Sequence, residues 1–189
     1  EVASSSLASA TMSKNSPKGL FLRLTFSDGS MVAYGMFITT HAAIGALIGQ
    51  SLPNNPALAF TLGMASHFLT DLIPHGDTNL YKNYIAKTKA YRSVAYVVVD
   101  SFVLLLFIAY FFSSDLIISR QAVTYGIIGG VLPDFIVGFY EVFKPRWLKW
   151  FHRIHFLFHS HFSGHKDIPF SVGFALQLIF LMGILSVII

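Results

Sequence analysis

Apolar and polar positions alternate in long blocks along this chain. Five apolar stretches stand out: about 31–50, 57–73, 94–112, 122–143 and 170–189. Each is close to the roughly 20 residues a helix needs to cross about 30 Å of hydrocarbon. A membrane interior offers no water to unpaired backbone groups, so helices are the expected form. Polar breaks separate the stretches. "SLPNNP" follows the first, Pro74 stops the second, and Lys144-Pro145 ends the fourth. The pattern predicts an all-α integral membrane bundle of about five transmembrane helices in one domain, residues 31–189. Residues 1–30 are Ser-rich and differ from all that follows. They read as a disordered tail or as read-through upstream of a start at Met31 or Met36, with a transit peptide as the alternative.

Composition agrees with this. The chain of 189 residues is 54% hydrophobic and only 12% charged, against about 25% charged in ordinary soluble domains. It holds 19 Phe. It has no Cys, which excludes disulfides and thiolate metal sites. Basic residues gather in two loops. Lys82, Lys87, Lys89 and Arg92 lie in the second, and Lys144, Arg146, Lys149, Arg153 and Lys166 in the fourth. With five crossings those loops share one side, which the positive-inside rule makes cytoplasmic. No P-loop, dinucleotide fingerprint, nucleophilic Ser or Cys constellation or nucleic-acid module is apparent.

The polar residues inside the apolar stretches carry the candidate chemistry. His67 and Asp71 are spaced i, i+4 and share a helix face. A neutral imidazole and a carboxylate suit zinc, with manganese or iron as alternatives. A His–Asp hydrogen-bonded pair joining two helices is the structural reading. An ionisable group in an apolar helix costs about 2.5–3.5 kcal/mol on insertion scales, which favours function. Asp100, within "YVVVDSFVLLLF", needs a partner or a proton. Ligation, a general-base or relay role, and a plain interhelical hydrogen bond all fit. Asp134 follows Pro133, which frees a carbonyl one turn back. It reads as a ligand or as a cap for the broken turn. His41 lies in the first stretch. In "FHRIHFLFHSHF", His152, His155 and His159 share one helical face and His161 does not. His75 and Asp77 sit in the loop mouth. Placed by depth, these groups fall in one layer at the cytoplasmic interface.

Two segments also resemble each other. "TLGMASHFLTD" (61–71) and "TYGIIGGVLPD" (124–134) share Thr, Gly, Leu and Asp at an offset of 63. This suggests two duplicated helical hairpins plus a C-terminal helix.

"SHFLTDLIPHGD", "GGVLPDF" and "HRIHFLFHSH" together resemble the membrane-bound, metal-dependent hydrolase family of LexA-induced inner-membrane proteins, itself distantly similar to zinc-dependent phospholipase C. The resemblance covers roughly residues 36–165. His41 matches the family's early His, and Leu132–Asp134 its LPD element. "HRIHFLFHS" matches its HRxxTHS element, with two extra residues and no Thr. Gly63, Ser66, His67 and Asp71 match its GxxSHxxxD element, which precedes the other two here and follows them in the family. The resemblance implies metal-assisted hydrolysis, with a phosphoester or lipid headgroup as substrate, at a bacterial inner membrane. The expected metal ligands are His41, His67, Asp71, Asp134 and His155. Asp100 and His159 are the expected catalytic groups. Membrane lipids are the expected partners. The rival readings are a metal or proton transport protein and a non-catalytic membrane scaffold.

Overall fold

The structure, a computed structural model, describes residues 37–73, 86–88, 90–161 and 168–188, without the side chains of 90, 159–161 and 188. The expectations for residues 1–30, Met31, Met36, His75, Asp77, Lys82, Lys89 and Lys166, and for the side chains of His159 and His161, lie outside what is described.

The described residues form six α-helices and one 3-10 turn, with no strand. The helices are α1 (Ile38–Ser51), α2 (Pro56–Thr70), α3 (Ala90–Ser113), α4 (Arg120–Phe143), α5 (Lys149–His161) and α6 (Phe170–Ile188). The 3-10 turn Arg146–Leu148 leads into α5. Local signals set several ends. Asn55 accepts from the Leu58 amide at 3.1 Å and Pro56 opens α2, which satisfies one orphan N–H and places proline where its missing N–H costs nothing. Ser119 caps α4 at the Ala122 amide. Lys144 closes α4 in the left-handed region, with φ 48°.

Segments within α3, α4 and α6 are long and apolar enough to cross a membrane. Much of their apolar surface faces outward: Val98, Val99, Leu105, Phe135, Ile179 and Met182 are all exposed. A water-soluble chain rarely leaves so much contiguous apolar area open. α1 and α2 differ. At 14 and 15 residues they are shorter than a span, so the expected count of five spans is met by three among the described helices. α1 is wrapped by other helices. Its Ala42, Ala43 and Ala46 are fully buried in a core shared with Leu104, Phe107 and Phe111 of α3, Val123 and Ile127 of α4, and Ile184 of α6.

α1 and α2 both press closely on α4, and glycine makes that possible at one junction. A Cβ added at Gly126 would stand 2.1 Å from the Gly45 carbonyl oxygen of α1. From the other side, a Cβ on Gly63 of α2 would stand 2.5 Å from the Gly126 carbonyl oxygen. The two similar segments therefore pack on one another at their matching glycines. The rest of the suggested duplication is less regular, since α3 packs beside α1.

Candidate metal centre

The packing of α1 and α2 on α4, with α5 across one end, brings four helices to a single point. His41 comes from the first turn of α1, His67 and Asp71 from the last turn of α2, Asp134 from α4 just past Pro133, and His155 from α5. All five expected ligands meet there. Asp71 is the centrepiece. Its Oδ1 lies 3.1 Å from His41 Nε2, and its Oδ2 lies 3.0 Å from His67 Nε2 and 4.0 Å from His155 Nε2. Asp134 Oδ1 lies 3.7 Å from His67 Nε2 and 3.6 Å from His155 Nε2. His41–His67–Asp134 and His67–Asp71–His155 each form a group able to hold a metal ion. Side-chain exposure is 3% or less for the histidines and Asp71, and 17% for Asp134. The centre thus opens at Asp134.

Hydrogen bonds decide which nitrogen of each ring carries the proton. His67 Nδ1 lies 2.8 Å from the Gly130 carbonyl oxygen. A carbonyl only accepts, so Nδ1 bears a hydrogen, and in the neutral ring Nε2 carries the lone pair. His41 Nδ1 lies 3.2 Å from Thr70 Oγ1. That hydroxyl donates its one proton back along α2, where the Ser66 and His67 carbonyl oxygens are 2.9 and 3.0 Å away. It therefore accepts from His41 Nδ1, and in the neutral ring His41 Nε2 also carries the lone pair. Each Nε2 faces an Asp71 oxygen at about 3 Å, and with neutral rings that sets acceptor against acceptor. Acceptor facing acceptor at about 3 Å is unfavourable unless a cation or a further proton lies between them.

The donor set fits a cation. Around a tetrahedral ion with bonds of about 2.0–2.1 Å, donor atoms stand about 3.3 Å apart. The separations among His67 Nε2, Asp71 Oδ2, Asp134 Oδ1 and His155 Nε2 given above run from 3.0 to 4.0 Å. The Nδ1 partners supply the outer hydrogen bonds that orient imidazole ligands.

Asp100 stands elsewhere, in neither group. It sits on α3 beside the start of α1. Its Oδ2 accepts from the Ile38 amide at 2.7 Å, and its Oδ1 from the Thr39 hydroxyl at 2.7 Å and the Thr39 amide at 3.4 Å. It thus caps the N-terminus of α1 from a neighbouring helix, with its negative charge at the positive end of the helix dipole. These bonds give Asp100 a positioning role: holding the first turn of α1 holds His41. Replacing Asp100 with Ala leaves two amides without acceptors and is expected to cost about 2–3 kcal/mol. A lowered melting temperature in detergent would register it. A melting temperature equal to wild type would remove the capping role.

Three contributors were not visible as site residues in the sequence. Gly130 offers a backbone oxygen and Thr70 a hydroxyl. Glu141 Oε1 lies 2.7 Å from His152 Nε2 and ties α5 to α4 one turn before His155. Glu141 is seven residues beyond Asp134, on the same helical face, and that spacing was its available signal. His159 lies one turn past His155 on α5.

Fold and site define an all-helical protein with helices apolar enough to span a membrane and a buried His/Asp centre able to hold a metal ion. No family model matches the chain, and no curated protein or solved structure matches it.

Proposed function

We propose that this chain is a metal-dependent hydrolase of the membrane interface that acts on a phosphoester, with zinc as the metal. One observation carries the reading: the Nε2 atoms of two buried histidines face the two oxygens of one buried carboxylate, with Asp134 and His155 beside them. The resemblance to the LexA-induced inner-membrane hydrolases supports hydrolysis as the reaction. The basic loops support a cytoplasmic-side site in a bacterial inner membrane, in a five-span arrangement that counts α1 and α2 as buried spans. Exposed Arg146, Lys149 and Arg153, next to exposed Trp147 and Trp150, suit anionic headgroups at that surface.

Chemically, a divalent cation held here would acidify water and polarise the phosphoryl oxygen. In the hydrolysis a water oxygen bonds to phosphorus as the P–O bond to the leaving group breaks. The water gives up a proton and the leaving oxygen gains one. Asp134, the most open member, is placed to take the proton from water. His41, His67, Asp71 and His155 bind and orient from the closed side. The apolar rings of Phe68 and Phe156 against His155 keep bulk water from that side.

The test is metal content and turnover together. Detergent-purified protein is expected to hold transition metal and to cleave a chromogenic phosphoester only when loaded. A folded His67→Ala, Asp71→Ala double variant is expected to lose both. Wild-type protein that stays metal-free after reconstitution would leave the polar cluster as interhelical glue. Metal binding without turnover on any phosphoester would shift the reading to transport.

A further inference from the structure

We propose that the centre holds two cations rather than one, bridged by the Asp71 carboxylate. The inference rests on the metal-centre reading above and extends it. The His41 and His67 rings lie nearly face to face, with centroids 4.0 Å apart and planes inclined by 33°. Their Nε2 atoms address different oxygens of the same carboxylate, His41 at Oδ1 and His67 at Oδ2. Each Nδ1 proton is taken by its own acceptor, Thr70 Oγ1 for His41 and the Gly130 carbonyl oxygen for His67. With each Nδ1 directed at its own acceptor, the two Nε2 atoms address two different oxygens of Asp71, which gives two separate positions for a cation.

Spacing agrees with this. In two-metal sites the ions lie about 3.5–4 Å apart, close to the separation of these two rings. His67, His155, Asp134 Oδ1 and Asp71 Oδ2 complete one donor set. His41 and Asp71 Oδ1 begin the other, with Asp134 close enough to His41 to join it. A single ion within reach of Oδ2, His67 and His155 leaves His41 Nε2 and Oδ1 as a second pair of donors 3.1 Å apart, and the second ion uses that pair. Paired ions favour in-line displacement at phosphorus, because one can serve the attacking oxygen and the other the leaving oxygen. The pairing therefore suits the phosphoester substrate proposed above.

The experiment loads the full-length chain with Mn²⁺ in detergent, removes excess ion, and reads stoichiometry by mass spectrometry and spin coupling by electron paramagnetic resonance. Two equivalents per chain with an exchange-coupled spectrum are expected. One equivalent would overturn the second ion and leave the metal centre standing. Two equivalents with uncoupled spectra would overturn the bridge. No bound ion at all would overturn the metal centre itself. A Thr70→Val variant, which removes the acceptor for His41 Nδ1, is expected to weaken one equivalent about 10- to 100-fold and spare the other. If it weakens neither, His41 is not a ligand.

Discussion

Replacing Gly126 with Ala is expected to destabilise the protein by about 3 kcal/mol or more, and Gly126→Val to prevent assembly. The added methyl would stand 2.1 Å from the Gly45 carbonyl oxygen and 3.2 Å from the Gly49 amide nitrogen. The nearest atoms are backbone, so no side chain can rotate away. α1 must move off α4, and it cannot move alone. Ala42, Ala43 and Ala46 on α1 are fully buried, and Asp100 and Gln177 hold its first turn from α3 and α6. A displaced α1 also carries His41 away from Asp71. The expected signature is therefore double: a lower melting temperature in detergent and weaker metal retention in whatever remains folded. Gly138, which has open space where a Cβ would go, provides the control. Gly138→Ala is expected to stay near wild type. Equal behaviour of the two variants would remove the close-packing account of the junction.

That junction also shows what was legible in the sequence. The offset of 63 between residues 61–71 and 124–134 matched Gly63 with Gly126 and Asp71 with Asp134. In the structure the first pair is in contact and the second pair lies in one centre. The i, i+4 spacing of His67 and Asp71 put both on one face because α2 runs through His67 and has Asp71 as its C-cap. Lys144-Pro145 ended α4 because proline cannot continue a helix.

Hydropathy alone does not separate α1 and α2 from lipid-facing spans, for a physical reason. Hydropathy measures dislike of water, and a helix buried in protein meets that criterion as well as one buried in lipid. Composition separates the two. The buried residues of α1 are Thr39, Thr40, His41, Ala42, Ala43, Gly45, Ala46 and Gly49, mostly small groups that allow close approach of neighbouring helices. α3 presents Val, Leu and Phe outward instead. The surroundings of Asp100 were hidden for a related reason. A lone carboxylate in an apolar helix demands a partner, and its partner proved to be the start of another helix. Backbone donors are absent from any side-chain inventory. The Gly130 carbonyl, which sets the His67 tautomer, was hidden in the same way.

Replacing Asp71 with Asn should separate a metal centre from a purely structural His–Asp cluster. The substitution keeps the shape and removes one negative charge. In a hydrogen-bonded cluster without metal, Asp71 would be a stabilising anion, and the Asp71→Asn change would be destabilising under every condition. In a metal centre the sign depends on the ion. After chelation, wild-type Asp71 keeps its two oxygens within about 3 Å of His41 and His67 Nε2, and a second carboxylate, Asp134, lies against His67, so two carboxylates repel each other in one buried centre. The Asp71→Asn variant would relieve that repulsion, and its side-chain amide can donate to one of the two nitrogens. The chelated variant is therefore expected to melt at or above chelated wild type. With metal at about a thousand times its dissociation constant, wild type gains about 4 kcal/mol from binding, and a variant without the bridging carboxylate gains almost none. The two stability curves should cross as metal is added. Parallel curves, with the variant lower throughout, would assign Asp71 to structure and remove the cation from the centre.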